Sequence, residues 1–582
     1  MRPYWIVLLF GLVLLQACGN DAPGESAEPP VISLDVESAR YKVKAGRDLT
    51  IVPTYQHVDS RTTYSWTMDS QVIGNEPTYT FNQSTIGDYF ITLVVTNSAG
   101  SAQEELKVSV VAPDAPFITL YTPEGGYKVA SGQELKLSPE VENASTSTFQ
   151  WSVNGKAESM EKDFTFKQST IGTYTVKFTA RNADGEDSVE LTINVCTPSE
   201  LPFSWKFQQT VYNVAEGRSV KVKAYFIEND FDATYIWRLN GETVSEGNAT
   251  EYIFKGEKQG TYTLSLTMKN EYAEQTQQFT LNVCPPEGTY YRATTASSKP
   301  MVNKVYEYMP APGHQVNGYK YGASFPDGCT MEQACDHILN NVWNKMYNIS
   351  LGSCGGYVVA GFDHSVDNSG GDWDLLIKGN PYGYQSEPGI VWVSQDVNGN
   401  GLPDDQWYEL AGSEYGTTNS TYEYAITYYR PTAKASSVKW ADNQGKSGTV
   451  PYMSDWNTKD YYWQEWVPTD ANNSHTYYGT QLRDRSTYEN GVSTIPPYDW
   501  GYADNESSVD YFSEPKLGVA VGHFKLSNAK TFDHQDANLR YIDFVKVQTG
   551  QIGYTPNLGD ISTEVHYISD YHLDDISLHP TE

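Results

Sequence analysis

Positive charge is scarce in this chain. Its 582 residues carry 40 lysines and arginines against 72 aspartates and glutamates, a formal net charge of −32. An acidic surface repels phosphate backbones and anionic headgroups, which disfavours nucleic acid as a partner and any polybasic membrane contact. Cysteine is scarcer still, six in all, and Cys196, Cys284, Cys329, Cys335 and Cys354 follow no zinc spacing. With Cys18 set aside, five cannot all pair, so one or two structural disulfides and at least one free thiol are expected. Long apolar runs are nearly absent: after residues 5–15 nothing is long enough to span a bilayer. Catalytic signatures are missing as well. There is no Gly-x-Ser-x-Gly elbow, no His-Glu-x-x-His and no phosphate loop, so no enzyme activity and no catalytic cofactor are expected. A glycosidase pair could be drawn from Asp372, Asp374, Glu387 or Asp504, but any chain this acidic offers as many. His364 reads as a packed strand histidine.

The single apolar run, with Arg2 before it, ends in Leu15, Gln16, Ala17 and Cys18. Its length suits a signal peptide over residues 1–17, not a spanning helix. The ending resembles the lipobox of bacterial lipoproteins, which implies lipid attachment at Cys18 and an outer-membrane anchor facing the cell surface. Residues 18–30, rich in Gly, Pro and acids, read as a solvated tether.

The middle of the chain repeats. Trp66, Trp151 and Trp237 recur at roughly 85 residues, each followed by a Gly-x-Tyr segment: FNQSTIGDY at 81–89, FKQSTIGTY at 166–174 and FKGEKQGTY at 254–262. Polar–apolar alternation after each tyrosine, closed at Asn97, Asn182 or Asn270, is the pattern of half-buried antiparallel strands. These units resemble the PKD-like and immunoglobulin-like modules of bacterial surface proteins, placed at 31–112, 113–196 and 197–284. A spacer role is expected of them. Cys196 and Cys284, closing the last two repeats, should lie too far apart to bridge, and Cys284 should reach into the region beyond.

From 285 to 582 the pattern changes. Thr330 and Gln333 form a capping box before apolar Ala334, Ile338, Leu339, Val342, Trp343 and Met346, which predicts one helix. Short strands follow without a βαβ rhythm, so the fold class is mostly all-β: three sandwiches, then a larger jelly-roll-like sandwich with one helix. Asp396, Asn398, Asn400, Asp404 and Asp405 place oxygen donors around Gly401 as in the first part of an EF-hand loop, which suggests a structural Ca2+. Trp407 stands where the closing glutamate would be. Tyr461, Tyr462, Trp463, Trp466, Tyr477, Tyr478, Trp500 and Tyr502 lie among Asn, Asp, Ser and Gly, and are expected to present flat apolar faces to a large amphiphilic ligand.

The strings VYEYMPAPGH at 305–314, LGSCGGYVVAGFDH at 351–364, SEPGIVWV at 386–393, WYELAGSE at 407–414, YIDFVKVQ at 541–548 and ISTEV at 561–565 resemble a family of bacterial "cell surface protein" lipoproteins. That family (the BtuH type) is associated with cobalamin uptake beside TonB-dependent outer-membrane transporters. The resemblance implies a surface lipoprotein that binds a cobamide as ligand, with such a transporter as partner and membrane contact only through the lipid. It assigns no contact residue. Stacked aromatics and calcium suit a surface glycan equally well, and this is the alternative reading.

Overall fold

The computed structural model describes residues 28–573, apart from 35, 37–38, 121, 124–125, 317–323, 327, 384, 454–461, 490–491, 515–518 and 556–557. Cys18 and Tyr461 lie outside the described residues. Among the described residues no helix is long and apolar enough to cross a membrane. Residues 28–111 form one compact unit, and the chain from 112 onward forms another.

Each repeat is a sandwich built the same way. In the first, a five-stranded sheet runs Arg40–Lys44, Gly100–Val111, Gly87–Asn97, Thr63–Met68, Gln71–Gly74. Its first pair is parallel and the others are antiparallel. The recurring motif residues hold this fold. Trp66, Trp151 and Trp237 are fully buried, and their indole N–H groups donate to the carbonyls of Glu76, Lys162 and Ala249. The hydroxyls of Tyr89, Tyr174 and Tyr262 each donate to a carbonyl four residues upstream, pinning the corner before the strand. Asn97, Asn182 and Asn270 each accept two backbone N–H bonds in the turn that follows.

The C-terminal region centres on a six-stranded sheet ordered Lys304–Met309, Tyr357–Asp367, Tyr541–Thr549, Gly389–Ser394, Trp407–Leu410, Ala529–Lys530. Alternation gives it two different faces. Val358, Ala360, Val391, Val393, Tyr408, Leu410, Val545 and Val547 point into the main core. There they meet Leu375, Ile377, Phe524 and Ile568 of a four-stranded sheet, together with the helix. The predicted helix is present with its capping box closed (Gln333 N–H to Thr330 Oγ1, 3.2 Å), but it changes form. Met331–His337 is α-helical, Ile338–Val342 widens to π, and Trp343–Lys345 tightens to 3₁₀ before Met346 at φ 61°. The opposite sheet face is covered by a second four-stranded sheet containing Ser420–Tyr429 and Ser474–Leu482. The layers touch closely: a Cβ on Gly479 would lie 2.1 Å from Gln548 Oε1.

The expected disulfides do not form. All five described cysteines are free thiols. Cys284 does pack against Val397 of the C-terminal region, but as a small apolar group beside Ala215, its thiol pushed up to about 11 chiefly by burial.

The last described strand, Tyr567–Asp570, is clamped by charge. His364 Nε2 (3.0 Å) and His572 Nδ1 (3.1 Å) both meet Asp570, and His572 Nε2 reaches Asp374 at 3.2 Å. The Asp374 and Asp570 carboxylates raise His572 to about 10. Burial opposes ionisation of Asp570, but bonds from His364 and His572 outweigh it and lower Asp570 to about 2. A raised histidine stabilises fully below its unfolded pKa and loses that contribution as pH climbs toward 10. A depressed aspartate stabilises above its unfolded pKa and loses that contribution as pH falls toward 2. The clamp is therefore strongest between about pH 4 and 6.5. His572→Gln should cost roughly 1–2 kcal/mol at pH 6, after discounting for partial exposure, and almost nothing near pH 10.5. Paired thermal melts at those two pH values measure it, and an equal cost at both would show that the clamp is not ionic.

Candidate functional site

The third repeat is docked onto the C-terminal region. Asn213 Nδ2 donates to the Asp404 carbonyl (3.0 Å), Gln406 Nε2 to the Ser219 carbonyl (3.0 Å), and Lys206 pairs with Asp470 at 3.0 Å. Lys221 and Lys223 converge on Glu423, the first at 2.6 Å. Burial alone would raise the Glu423 carboxyl, but the two lysines outweigh it and hold it below its usual range. Glu423→Gln removes the nearer of the two carboxylates between these ammonium groups and leaves only Glu251, at 3.9 Å from Lys221 and 3.6 Å from Lys223. It should cost about 1–2 kcal/mol in denaturant melts, with the difference shrinking in high salt because these ions are partly exposed. A salt-independent cost would mean that packing, not charge, is what was lost. This repeat is thus more than the spacer its sequence suggested.

Between the repeat and the sheet lies a cleft of about 190 Å³. Its floor is the second face of the six-stranded sheet, where register sets Lys546 opposite Trp392 and Trp392 opposite Glu409, with Trp407 two residues from Glu409. Tyr415, Tyr422, Tyr478 and Phe532 form walls, and Tyr212 and Tyr225 come from the third repeat. Lys546 sits 4.8 Å from the Trp392 ring and 5.2 Å from that of Trp407. Burial pushes its ammonium down to about 8 and the Glu409 carboxyl up to about 7, and Thr480 Oγ1 donates to Glu409 at 2.6 Å. Two buried polar atoms on lining residues have no protein partner: Trp392 Nε1 and Asp405 Oδ1. Such atoms cost free energy unless something else bonds them. The cleft therefore offers stacking faces and a cation, with two unpaired polar atoms enclosed in its walls. A second cavity, about 490 Å³ and more polar, is lined by Trp440, Asp442, Lys446, Arg483 and Glu140.

Most of the aromatics expected to face a ligand are core instead. Tyr462, Trp463, Tyr477 and Tyr502 are buried. Their polar tips are satisfied within the chain: Tyr462 Oη by Met453 N–H, Trp463 Nε1 by Val467, Tyr477 Oη by Pro310, and Tyr502 Oη by Glu414 N–H. Trp466 is half-buried against Tyr308 and Phe325, its Nε1 on the Tyr308 carbonyl. Trp500 is half-buried and outside both cavities. Polar neighbours misled here because they serve the turns, while the aromatic rings fill the space between sheets. Tyr478 alone among the described members lines the cleft, and it does so from a strand, next in sequence to the inward-facing Tyr477. Trp392, Trp407 and Lys546 were missed, although period-two alternation in the 389–394 and 541–549 strands marks Trp392 and Lys546 as odd aromatic and polar positions between valines; Trp407, at the start of the 407–410 strand, carries no such signal.

The acidic loop joins the strands that carry Trp392 and Trp407. Asp396 accepts N–H bonds from Gly399 (2.7 Å), Asn400 (3.1 Å) and Gly401 (2.9 Å), while Asn398 accepts from Asn400 and Asn400 from Leu402. Gly399 and Gly401 adopt φ near +73°, which favours glycine. Asp404 is exposed and takes both asparagine amides. Asp405 turns beneath the loop, where burial first and the neighbouring aspartates next push it up to about 8. Of the acids considered for catalysis, Asp372 is exposed and Asp374 pairs with His572. Glu387 and Asp504 come together, but neither lines the cleft. His364 is fully buried between Asp363 and Asp570, packed as expected.

Comparison with known proteins identifies the first two repeats. Residues 29–97 and 115–182 match the family model of the PKD-like domain, so the chain carries tandem domains of that class. No curated protein matches it. Similar solved structures include the fibronectin(III)-like modules of Clostridium thermocellum CbhA, at 18% identity over 29% of this chain and 95% of that one, TM-score 0.15. Extracellular domains 3–5 of Drosophila OTK show 15% identity over 42% and 94%, TM-score 0.13. The titin fragment I67–I69 shows 13% over 44% and 99%, TM-score 0.14. At those scores the likeness carries no argument about ligands.

Proposed function

We propose that this chain is a lipid-anchored surface protein that captures a cobamide in the cleft between its third repeat and its C-terminal region, and passes it to a TonB-dependent outer-membrane transporter. The observation that carries the reading is the cleft floor: Trp392 and Trp407 flank Lys546. A corrinoid presents methyl groups for stacking and a phosphodiester for a cation. A space of about 190 Å³ admits one edge or base of such a molecule, with the remainder over the rim. The acidic loop fits the first half of a calcium site, and Asp396, Asn398, Asn400 and Asp404 would hold the ion, stiffening the hairpin that carries both tryptophans. Cys18 would supply the anchor.

Calorimetric titration of the whole mature chain with cyanocobalamin, with and without calcium, tests this. Saturable one-to-one binding tighter than about micromolar, roughly 8 kcal/mol, supports it. A folded protein that neither releases heat nor retains the red ligand overturns it. The size of the cleft favours one second reading, a single pyranose ring stacked on Trp392 or Trp407, and a glycan panel titrated in parallel decides between them.

A further inference from the structure

Three chain segments distant in sequence bring carboxylates to one point. Glu387 precedes the Gly389–Ser394 strand, Asp504 sits in a loop at φ 53°, and Glu564 belongs to the short Glu564–Val565 strand paired with Ile349–Ser350. One oxygen of each lies within 4.8 Å of the others. Two oxygens on opposite sides of a Ca2+ stand roughly 4.6–5.2 Å apart, so a single hard ion fits between these.

The partners of these carboxylates are uneven. Asp504 accepts from Asn380 N–H (2.6 Å) and Glu564 N–H (2.9 Å), and Glu387 accepts from Ser562 N–H (3.1 Å). Glu564 is 1% exposed, and the donor beside its carboxylate, the Ser350 hydroxyl, does not reach close hydrogen-bond geometry with either oxygen. The nearby Ser350 and Ser562 hydroxyls bond each other at 2.5 Å. The charge of Lys378 favours the ionised Asp504, but its Nζ donates to the Tyr511 hydroxyl. Burial first, then mutual repulsion, pushes Glu387 and Glu564 upward, and burial raises Asp504 despite its two N–H bonds. Three carboxyl groups this close together, with only the Lys378 charge acting on Asp504 and none paired to Glu564, are costly to bury.

We infer that Glu387, Asp504 and Glu564 form a binding site for a hard divalent cation, separate from the 396–405 loop, which ties the C-terminal strand to the 387 and 504 segments. The all-oxygen donor set suits Ca2+, with Mg2+ and Mn2+ as smaller competitors.

The test uses the full chain stripped with chelator, then titrated with Ca2+, Mg2+ or Mn2+ while stoichiometry and melting temperature are followed. Glu564→Gln removes one charge without changing shape, so in chelator it should melt at or above wild type, which shows that it folds. On adding Ca2+ the wild type should bind one more ion per chain than Glu564→Gln and gain melting temperature that the variant does not. Asp396→Asn, which reports only on the loop, should leave that increment in place. If Glu564→Gln keeps the wild-type stoichiometry and the full increment, the carboxylates only share protons and the site does not exist.

Discussion

Replacing Trp151 with alanine should destabilise the second repeat by about 3–5 kcal/mol, the usual cost of deleting a fully buried indole. The side chain is completely enclosed, stacked on Phe164 at 5.2 Å and tilted against Phe178 at 4.4 Å. Its removal leaves a cavity walled by a rigid sheet on each side, and strands cannot close over it without breaking register. It also strands the Lys162 carbonyl, which accepts the indole N–H at 3.1 Å. A loss of that size is a large share of a small sandwich's stability, so the repeat should appear in calorimetry as a separate, earlier transition. Ile171, 56% exposed in the same repeat, provides the control: Ile171→Ala should stay within about 0.5 kcal/mol. Comparable melts for the two variants would mean that the tryptophan does not organise the sandwich.

The same tryptophan shows why the repeats were legible. Their motif residues do one job three times, so each Trp, Gly-x-Tyr and Asn is visible against its own copies. Strand positions in the C-terminal region were legible too, since Tyr357–Asp367, Gly389–Ser394 and Tyr541–Thr549 announce themselves by β-branched density. Their order in the sheet was not, because register depends on contacts between residues about 190 apart in sequence, such as Tyr357 with Gln548. The helix was predicted from caps and apolar spacing, yet its change of form at Ile338 follows from packing Ile338, Val342 and Trp343 into a core that sequence does not display.

The site was harder to read for a physical reason. Exposure was inferred from polar neighbours, but in a sandwich those neighbours belong to corners, and a corner buries its rings. Tyr462 and Tyr477 close their hydroxyl bonds inside the protein. The cleft arises only when a repeat settles on the sheet, so about a third of its lining, Tyr212 and Tyr225 included, comes from a module that looked like a spacer. Likewise Glu387, Asp504 and Glu564 are ordinary acids in an acidic chain until the fold brings them within 4.8 Å.

Trp392→Ala should weaken ligand binding by about 2 kcal/mol or more, at least 30-fold in the folded fraction, while also lowering the melting temperature because the ring packs against Ile390, Leu482, Tyr498 and Tyr502. The residue is half-buried and packs on one side against these buried residues, so its loss removes a surface of the cleft together with some interior packing. Trp407→Ala should weaken binding in the same way, since the two rings flank Lys546 together. Trp392→Phe keeps part of the flat face and should fall between wild type and alanine. Trp463→Ala is the control, a buried ring outside the cleft, expected to lower the melting temperature while the folded fraction binds normally. Calorimetric titrations and melts on the four variants therefore resolve binding from folding. If both Trp392→Ala and Trp407→Ala bind as wild type does, the ligand lies elsewhere. The polar cavity around Trp440, Asp442, Lys446 and Arg483 becomes the place to look, because it combines an aromatic face with both signs of charge at a larger volume than the cleft.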